Sequence, residues 1–342
     1  MGGCAATCEY PARFVKHAHE PRPWIALTLG DPAGIGPEVC LRAIDDPRVR
    51  EAARVALIGP PSLRPAAVER QPQDAPLPEG RADSVWIDCE SAASWELGRV
   101  QPECGRAALS ALRIGHELAL AKRVAALVTA PVSKAALHAA GERVEGQTEL
   151  LGRWCNAHEF EMLAVARKLR VLLLTRHMPL AQALGSITQS GVVAHLELLA
   201  RGLQSLGIAR PRIALAGLNP HAGEGGLLGM DEREKLEPAA AAARARGLDV
   251  HGPLSPDTVF LAASRGAYDG VLALYHDQAF IPVKLHAPDD GLTVIVGLPY
   301  LRVSPAHGTA FDIAGKGVAR ADNLIAALVQ AAAWSRTFRA HA

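Results

Sequence analysis

The sequence predicts an α/β protein built on a mostly parallel sheet covered by helices, and three observations carry that expectation. From Trp24 onward, short β-type apolar runs alternate with segments of helical periodicity, the pattern of strands joined by crossover helices. At 342 residues the chain exceeds the size at which a single core stops growing, which predicts two lobes. Several apolar runs end in turns rich in Gly or bearing His, and open α/β sheets bind ligands beyond the carboxyl ends of their strands.

Taken in order, residues 1–23 lack the apolar segment of a signal peptide, and Ala6 stands where a myristoylation site needs Ser or Thr. They are expected to form a disordered extension. Strands are predicted at 24–29, 54–59, 124–130, 161–166, 169–174, 212–218 and 270–275, all short aliphatic runs. Helices are predicted at 106–122, 190–206, 232–246 and 321–335, where apolar residues recur at three- and four-residue steps. The stretch from Pro60 to Gly98, rich in Pro, Gln and acids, reads as a loop-rich excursion at the edge of the first lobe.

Composition narrows the function classes. With 49% apolar residues, 21% charged residues and a net charge of +1, the chain has a globular balance without the basic excess of a nucleic-acid binder. No apolar run is long enough to span a membrane. The six cysteines are scattered without a CxxC pair, so they read as reduced thiols and the expected location is the cytoplasm.

The chemistry-bearing residues gather at predicted strand ends. His177 follows LRVLLLTR, His221 follows RIALAGLNP in a Gly-rich turn, and His276 follows GVLALY with Asp277 beside it. Three neutral imidazoles suit Zn²⁺ or a related divalent ion and leave a coordination position for substrate. The turn GDPAGIGPE is either an anion cradle at a helix start or a tight turn that needs glycine. Thr148 in GQTELL either binds a phosphate or carboxylate or caps a helix. Lys284 and Arg302 lie in the same late region as His276 and together could clamp an anionic substrate. Asp257, in GPLSPDT, adds a carboxylate at a predicted helix start, where capping is the alternative reading.

These motifs together, GDPAGIGPE, APVSK, GQTE, LTRHMPL, GLNPHAGEGG, GPLSPDT, YHDQ and GLPYLRVSPAHGTAFDIAGKG, make the chain resemble the metal-dependent 4-hydroxythreonine-4-phosphate dehydrogenases of vitamin B6 biosynthesis. The resemblance runs from about Trp24 to the end. Its last segment, HGTAFDIAGKG, is also similar to the nucleotide-binding loop of isopropylmalate and isocitrate dehydrogenases. The resemblance implies a two-lobed α/β/α fold of that dehydrogenase type, with the active site in the inter-lobe cleft and shared across a homodimer. Residues 24–130 with 300–342 are then expected to form the first lobe, and 131–299 the second, which carries the metal and substrate site.

By position, the resemblance makes His177, His221 and His276 metal ligands, one of them supplied by the partner subunit. Asp257, Asp277 and Lys284 fall at catalytic positions, with the general base left open between Lys284 and an Asp. Gln147, Thr148, Lys284, Thr293 and Arg302 fall in the substrate pocket, and His307, Gly308, Thr309, Ala310 and Asp312 border the NAD or NADP site. Two of these positions depart from the family pattern, which usually has His at 147 and Asn at 293. Gln cannot carry a proton's charge and Thr lacks the amide's paired donor and acceptor, so the substrate choice is what the departures affect.

The implied reaction oxidises a phosphorylated hydroxy acid, 4-phosphohydroxy-L-threonine, with a divalent metal (Zn, Mg, Mn or Co). The β-keto acid formed then decarboxylates to 3-amino-2-oxopropyl phosphate. The alternatives are a paralogue acting on D-threonate or D-erythronate 4-phosphate or on a carboxylated dihydrodiol, and, from another class, a phosphate acyltransferase of the same two-lobed fold.

Overall fold

The computed structural model describes residues 21–80, 82–91 and 94–340, so the expected disordered extension lies, up to residue 20, outside the described residues. Among these, twelve strands form one mixed sheet: β1 (Trp24–Thr28), β2 (Arg54–Gly59), β3 (Glu69–Arg70), β4 (Ser84–Asp88), β5 (Ala126–Thr129), β6 (Glu161–Ala166), β7 (Leu169–Leu173), β8 (Arg212–Ala216), β9 (Asp249–Leu254), β10 (Gly270–Ala273), β11 (Leu292–Val296) and β12 (Arg302–Pro305). Their spatial order is β3-β4-β2-β1-β5-β12-β11-β6-β7-β10-β8-β9. The sheet is mostly parallel, as expected. Only the pairs β12–β11, β11–β6 and β6–β7, in the middle, are antiparallel.

Helices cover both faces, giving three layers. One face carries a continuous apolar cluster that crosses the whole sheet, from Leu27 and Val128 through Val303, Val294 and Leu163 to Leu272 and Leu215. Helices Gly36–Asp45, Gln189–Ser205 and Asp322–Ser335 pack there. The opposite face carries two separate clusters. One gathers Ile58, Leu112, Leu127 and Tyr300 under helix Pro102–Leu120, and the other gathers Val171, Ala273, Phe260 and Val283.

The break between those two clusters is polar. Side chains alternate across a strand, and Val294 and Val303 belong to the continuous face. Thr293 on β11 and Arg302 and Ser304 on β12 therefore point to the other face, where Thr129 and Thr148 are buried with them. A buried polar strip within an apolar layer is costly unless something needs it. It marks the cleft between the lobes.

Several elements differ from the expectation. The Pro60–Gly98 stretch contains β4, whose Val85, Trp86 and Ile87 are buried. The predicted helix at 232–246 is a π-helical turn, Glu232–Leu236, leading into an α-helix, Glu237–Ala245. Leu137, Leu150 and Leu151, on helices Lys134–Ala139 and Gln147–Trp154, are buried in the same cluster as Leu112 and Leu127. No helix among the described residues is long and apolar enough to cross a membrane.

Candidate active site

Two of the three singled-out imidazoles meet because their strands are neighbours. β7 and β10 pair in parallel, and beyond their ends the amide of Leu174 donates to Ala273 O at 2.8 Å while Thr175 Oγ1 donates to Leu274 O at 2.8 Å. The His177 and His276 ring centroids then lie 5.3 Å apart. His276 opens helix His276–His286, and its Nδ1 donates to Asp277 Oδ1 at 2.7 Å. That bond leaves the Nε2 lone pair available, the carboxylate–imidazole arrangement that orients metal-binding histidines. His276 stacks on Phe280 at 4.7 Å, and Lys284 Nζ lies 5.8 Å from the Phe280 ring, so residues at i, i+4 and i+8 form one stripe.

Although solvent reaches one side of His177, its pKa is held below the usual imidazole value, first by partial burial and then by the charges of Lys134 and His276. A neutral imidazole is the form that binds a metal. Both rings therefore suit a divalent cation.

His221 does not join this pair. It lies on the 3₁₀ segment Pro220–Gly226, and its neighbour is Asp257. The Asp257 carboxyl is held below the ordinary range first by a 2.6 Å hydrogen bond from Ser255 Oγ and also by His221's charge. Among the described residues no group of three His, Cys, Asp or Glu side chains is placed to hold a metal ion. One chain thus brings two of the three expected ligands together.

The anion side of the cleft is built on Arg302. This residue is 3% exposed, and burial pulls its pKa down to about 10. Its Nη2 donates to Thr129 Oγ1 at 2.6 Å and more distantly to Gln147 Oε1 at 3.4 Å, while its Nε is buried without a partner among the described residues. A buried guanidinium with an unmatched donor has the chemistry to receive an anion. Gln147 is fixed between two groups, since its Nε2 also donates to Ala130 O at 3.1 Å. Thr148 and Thr293 are both buried, the latter opposite Ser304.

The loop from His307 to Asp312 docks on the Gly-rich turn. The amide of Ile35 donates to Thr309 O at 3.0 Å, and Arg42 Nη1 donates to Ala319 O at 2.6 Å. The turn's glycines are explained by close approach, because a Cβ on Gly36 would lie 2.1 Å from Leu29 O, and Gly30 (φ +72°) would lie 2.2 Å from Pro131 O. Here the tight-turn reading accounts for the motif. His307 Nδ1 donates to Gly308 O at 3.1 Å, leaving Nε2 an unfilled acceptor, and Gly308 faces open space. The exposed Asp312 and the open space beside Gly308 leave room for a dinucleotide's hydroxyl groups.

Two residue sets escaped the sequence reading. Arg176, next to His177, is gripped by Glu149 at 2.6 Å and by the buried Glu161 at 3.3 Å. This ties the His177 loop to the helix that carries Gln147 and Thr148. Burial raises Glu161 to about 7 despite Arg176. The second is Asp31, fully buried behind the Gly-rich turn and raised to about 6 by burial, against amide hydrogen bonds from Ala33 and Ser133. Its position in GDP was the available signal. A groove of about 660 Å³ between Ala222, Arg233, Glu237, Arg244 and Pro253 flanks the His221 segment but reaches neither the imidazole pair nor Arg302.

Fold and site together define a class, a three-layer α/β protein with paired imidazoles at neighbouring strand ends and a buried guanidinium on the polar strip of the same sheet. The chain belongs to the family described as pyridoxal phosphate biosynthetic protein PdxA, whose pattern matches residues 41–331. It is 37% identical to the 4-hydroxythreonine-4-phosphate dehydrogenase of Desulforapulum autotrophicum, over 91% of this chain and 95% of that one. It is 39% identical to the D-threonate 4-phosphate dehydrogenase of Salmonella typhimurium, over 88% of this chain and 95% of that one. The solved 4-hydroxythreonine-4-phosphate dehydrogenase of Klebsiella pneumoniae matches with a TM-score of 0.82 at 37% identity, covering 92% of this chain and 99% of that one. The expected family, the two-lobed α/β fold and the dehydrogenase class are thereby established.

Proposed function

We propose that this dehydrogenase oxidises 4-phosphohydroxy-L-threonine in a divalent-metal-dependent, NAD(P)-linked reaction, and that the resulting β-keto acid loses CO₂ to give 3-amino-2-oxopropyl phosphate. The observation that carries this reading is the neutral His177 paired with Asp277-oriented His276 on the same cleft as the buried Arg302. When bound, the cation would polarise the substrate hydroxyl and then the ketone, and the nicotinamide would take the hydride.

The chain's own residues do the rest. Arg302 and Thr148, with Lys284 at the cleft's exposed side, hold the anionic ends of the substrate and fix the reacting carbon. Lys284 or an aspartate, Asp257 or Asp277, takes the hydroxyl proton. His307, Gly308, Thr309, Ala310 and Asp312 border the dinucleotide.

A homodimer supplies the missing ligand, with His221 of the partner subunit joining His177 and His276. The support is a set of apolar side chains left in solvent around these segments, among them Met178, Leu180, Leu227 at 83% exposure, Met230, Ile281 and Leu285 at 80% exposure. Monomers seldom expose such a group of large apolar residues without a partner.

A second reading, D-threonate 4-phosphate as substrate, is favoured by Gln147. Its amide is neutral and already occupied by Arg302 and Ala130, so it offers the substrate less than a titratable side chain would. The two readings separate by NAD(P)H formation on a panel of 4-phosphohydroxy-L-threonine, D-threonate and D-erythronate 4-phosphates and a carboxylated dihydrodiol, each with Zn²⁺, Mg²⁺, Mn²⁺ or Co²⁺. Turnover of the first compound above the others supports the main reading. No turnover of any compound would leave the metal-dependent dehydrogenase reading without support.

A further inference from the structure

The His221 segment holds a conformation that L-residues rarely adopt. His221, Ala222 and Glu224 have φ of 52°, 52° and 42°, and with Gly223 and Gly225 they make one left-handed turn. Three non-glycine residues in that region carry strain that the surroundings must offset. The group that does so is a carboxylate.

Glu232 is 1% exposed. Its Oε1 accepts from the amides of Leu218 and Asn219, both at 2.8 Å, and its Oε2 accepts from Asn219 Nδ2 at 2.9 Å. Gly223 packs so closely that a Cβ there would lie 2.6 Å from Oε2. The π-helical turn Glu232–Leu236 presents this side chain, and such turns recur where a helix must aim a residue at a functional site. The grip thus begins just before His221 and reaches the residue two beyond it.

We propose that Glu232 is a positioning residue, which clamps residues 218–223 so as to aim the His221 imidazole and thereby sets the divalent-metal affinity of the site. This rests on the metal reading given above. A glutamine in its place would keep one oxygen for the two backbone amides but turn an NH₂ toward Asn219 Nδ2.

The test titrates the metal-free full-length chain with Co²⁺ by calorimetry, and follows thermal unfolding of the same samples. The variants are Glu232→Ala, Glu232→Gln, His221→Ala and the double variant His221→Ala/Glu232→Ala. Glu232→Ala is expected to weaken Co²⁺ binding by roughly 10- to 100-fold, as loss of a ligand-orienting partner does. Glu232→Gln, which keeps Oε1 and its two amide bonds, loses less and guards against a variant that fails to fold. In the His221→Ala background, Glu232→Ala adds no further loss, because both act through one imidazole.

Unchanged Co²⁺ affinity in Glu232→Ala, even with a lowered Tm, overturns the assignment and leaves the metal reading standing. An equal further loss in the His221→Ala background overturns it as well. A wild-type chain that binds no divalent ion, or a His221→Ala variant that binds as tightly as wild type, overturns the metal reading first and this assignment with it.

Discussion

Arg302 shows how one side chain can serve both the fold and the site. Its guanidinium closes the polar strip by bonding Thr129 and Gln147, and its buried Nε has no partner among the described residues. Lysine in its place keeps a charge but not the fork that reaches several acceptors at once. Arg302→Lys is therefore expected to raise KM for the phosphorylated substrate by roughly 10- to 100-fold with a smaller change in kcat, the loss of one or two charged hydrogen bonds. Steady-state kinetics on the folded variant measure this, and an unchanged KM would remove Arg302 from the anion site. His177 and His276 were legible in the sequence because each stands beyond the end of an aliphatic run, and Arg302 because it falls with Lys284 and His276 in one late region. Arg176, Glu149 and Glu161 were not. Each is an ordinary charged residue until the fold brings positions 149, 161 and 176 together around one guanidinium.

At the scale of elements, the Gly-rich turn after β1 is held by a carboxyl that is uncomfortable when charged. Asp31 is raised from 3.8 to about 6 by burial. A folded-state pKa above the unfolded one means that the native state binds more protons between those values. The contribution of Asp31 is thus fully present below about pH 4 and is lost as pH rises through about 6. Across that window Asp31 alone removes up to about 3 kcal/mol, from about two units at 1.36 kcal/mol each. Glu161 acts with the same sign, so the difference between wild type and Asp31→Asn isolates the one group. Denaturant midpoints from pH 4 to 8 should fall less steeply in Asp31→Asn, and parallel profiles would show that the carboxyl is not perturbed. Among elements, the strands with long aliphatic runs could be read from sequence. β3, β4, β9, β11 and β12 could not, because each lies in or beside a stretch whose Pro, Gly and charged residues dominate any window. The π-helical turn at Glu232 has no sequence signature, since its residues favour any helix.

For the whole molecule, the decisive question is whether two chains complete one site. If His221 of the partner subunit joins His177 and His276, then His177→Ala and His221→Ala are each inactive alone. Mixed and allowed to exchange subunits, they form heterodimers with one intact site, and recover up to about a quarter of wild-type activity when pairing is random. No recovery despite demonstrated exchange would place all three ligands within one chain. Assembly is the least legible level, because a surface shared between copies would leave no mark in a single chain beyond exposed apolar side chains such as Leu227, Ile281 and Leu285. The apolar cluster that runs uninterrupted from Leu27 to Leu215 beneath the cleft has a further consequence. A floor shared by both halves couples the packing of one to the packing of the other. Heat is therefore expected to melt the chain in one cooperative step, and a calorimetric trace with two separated transitions would show that the lobes unfold independently.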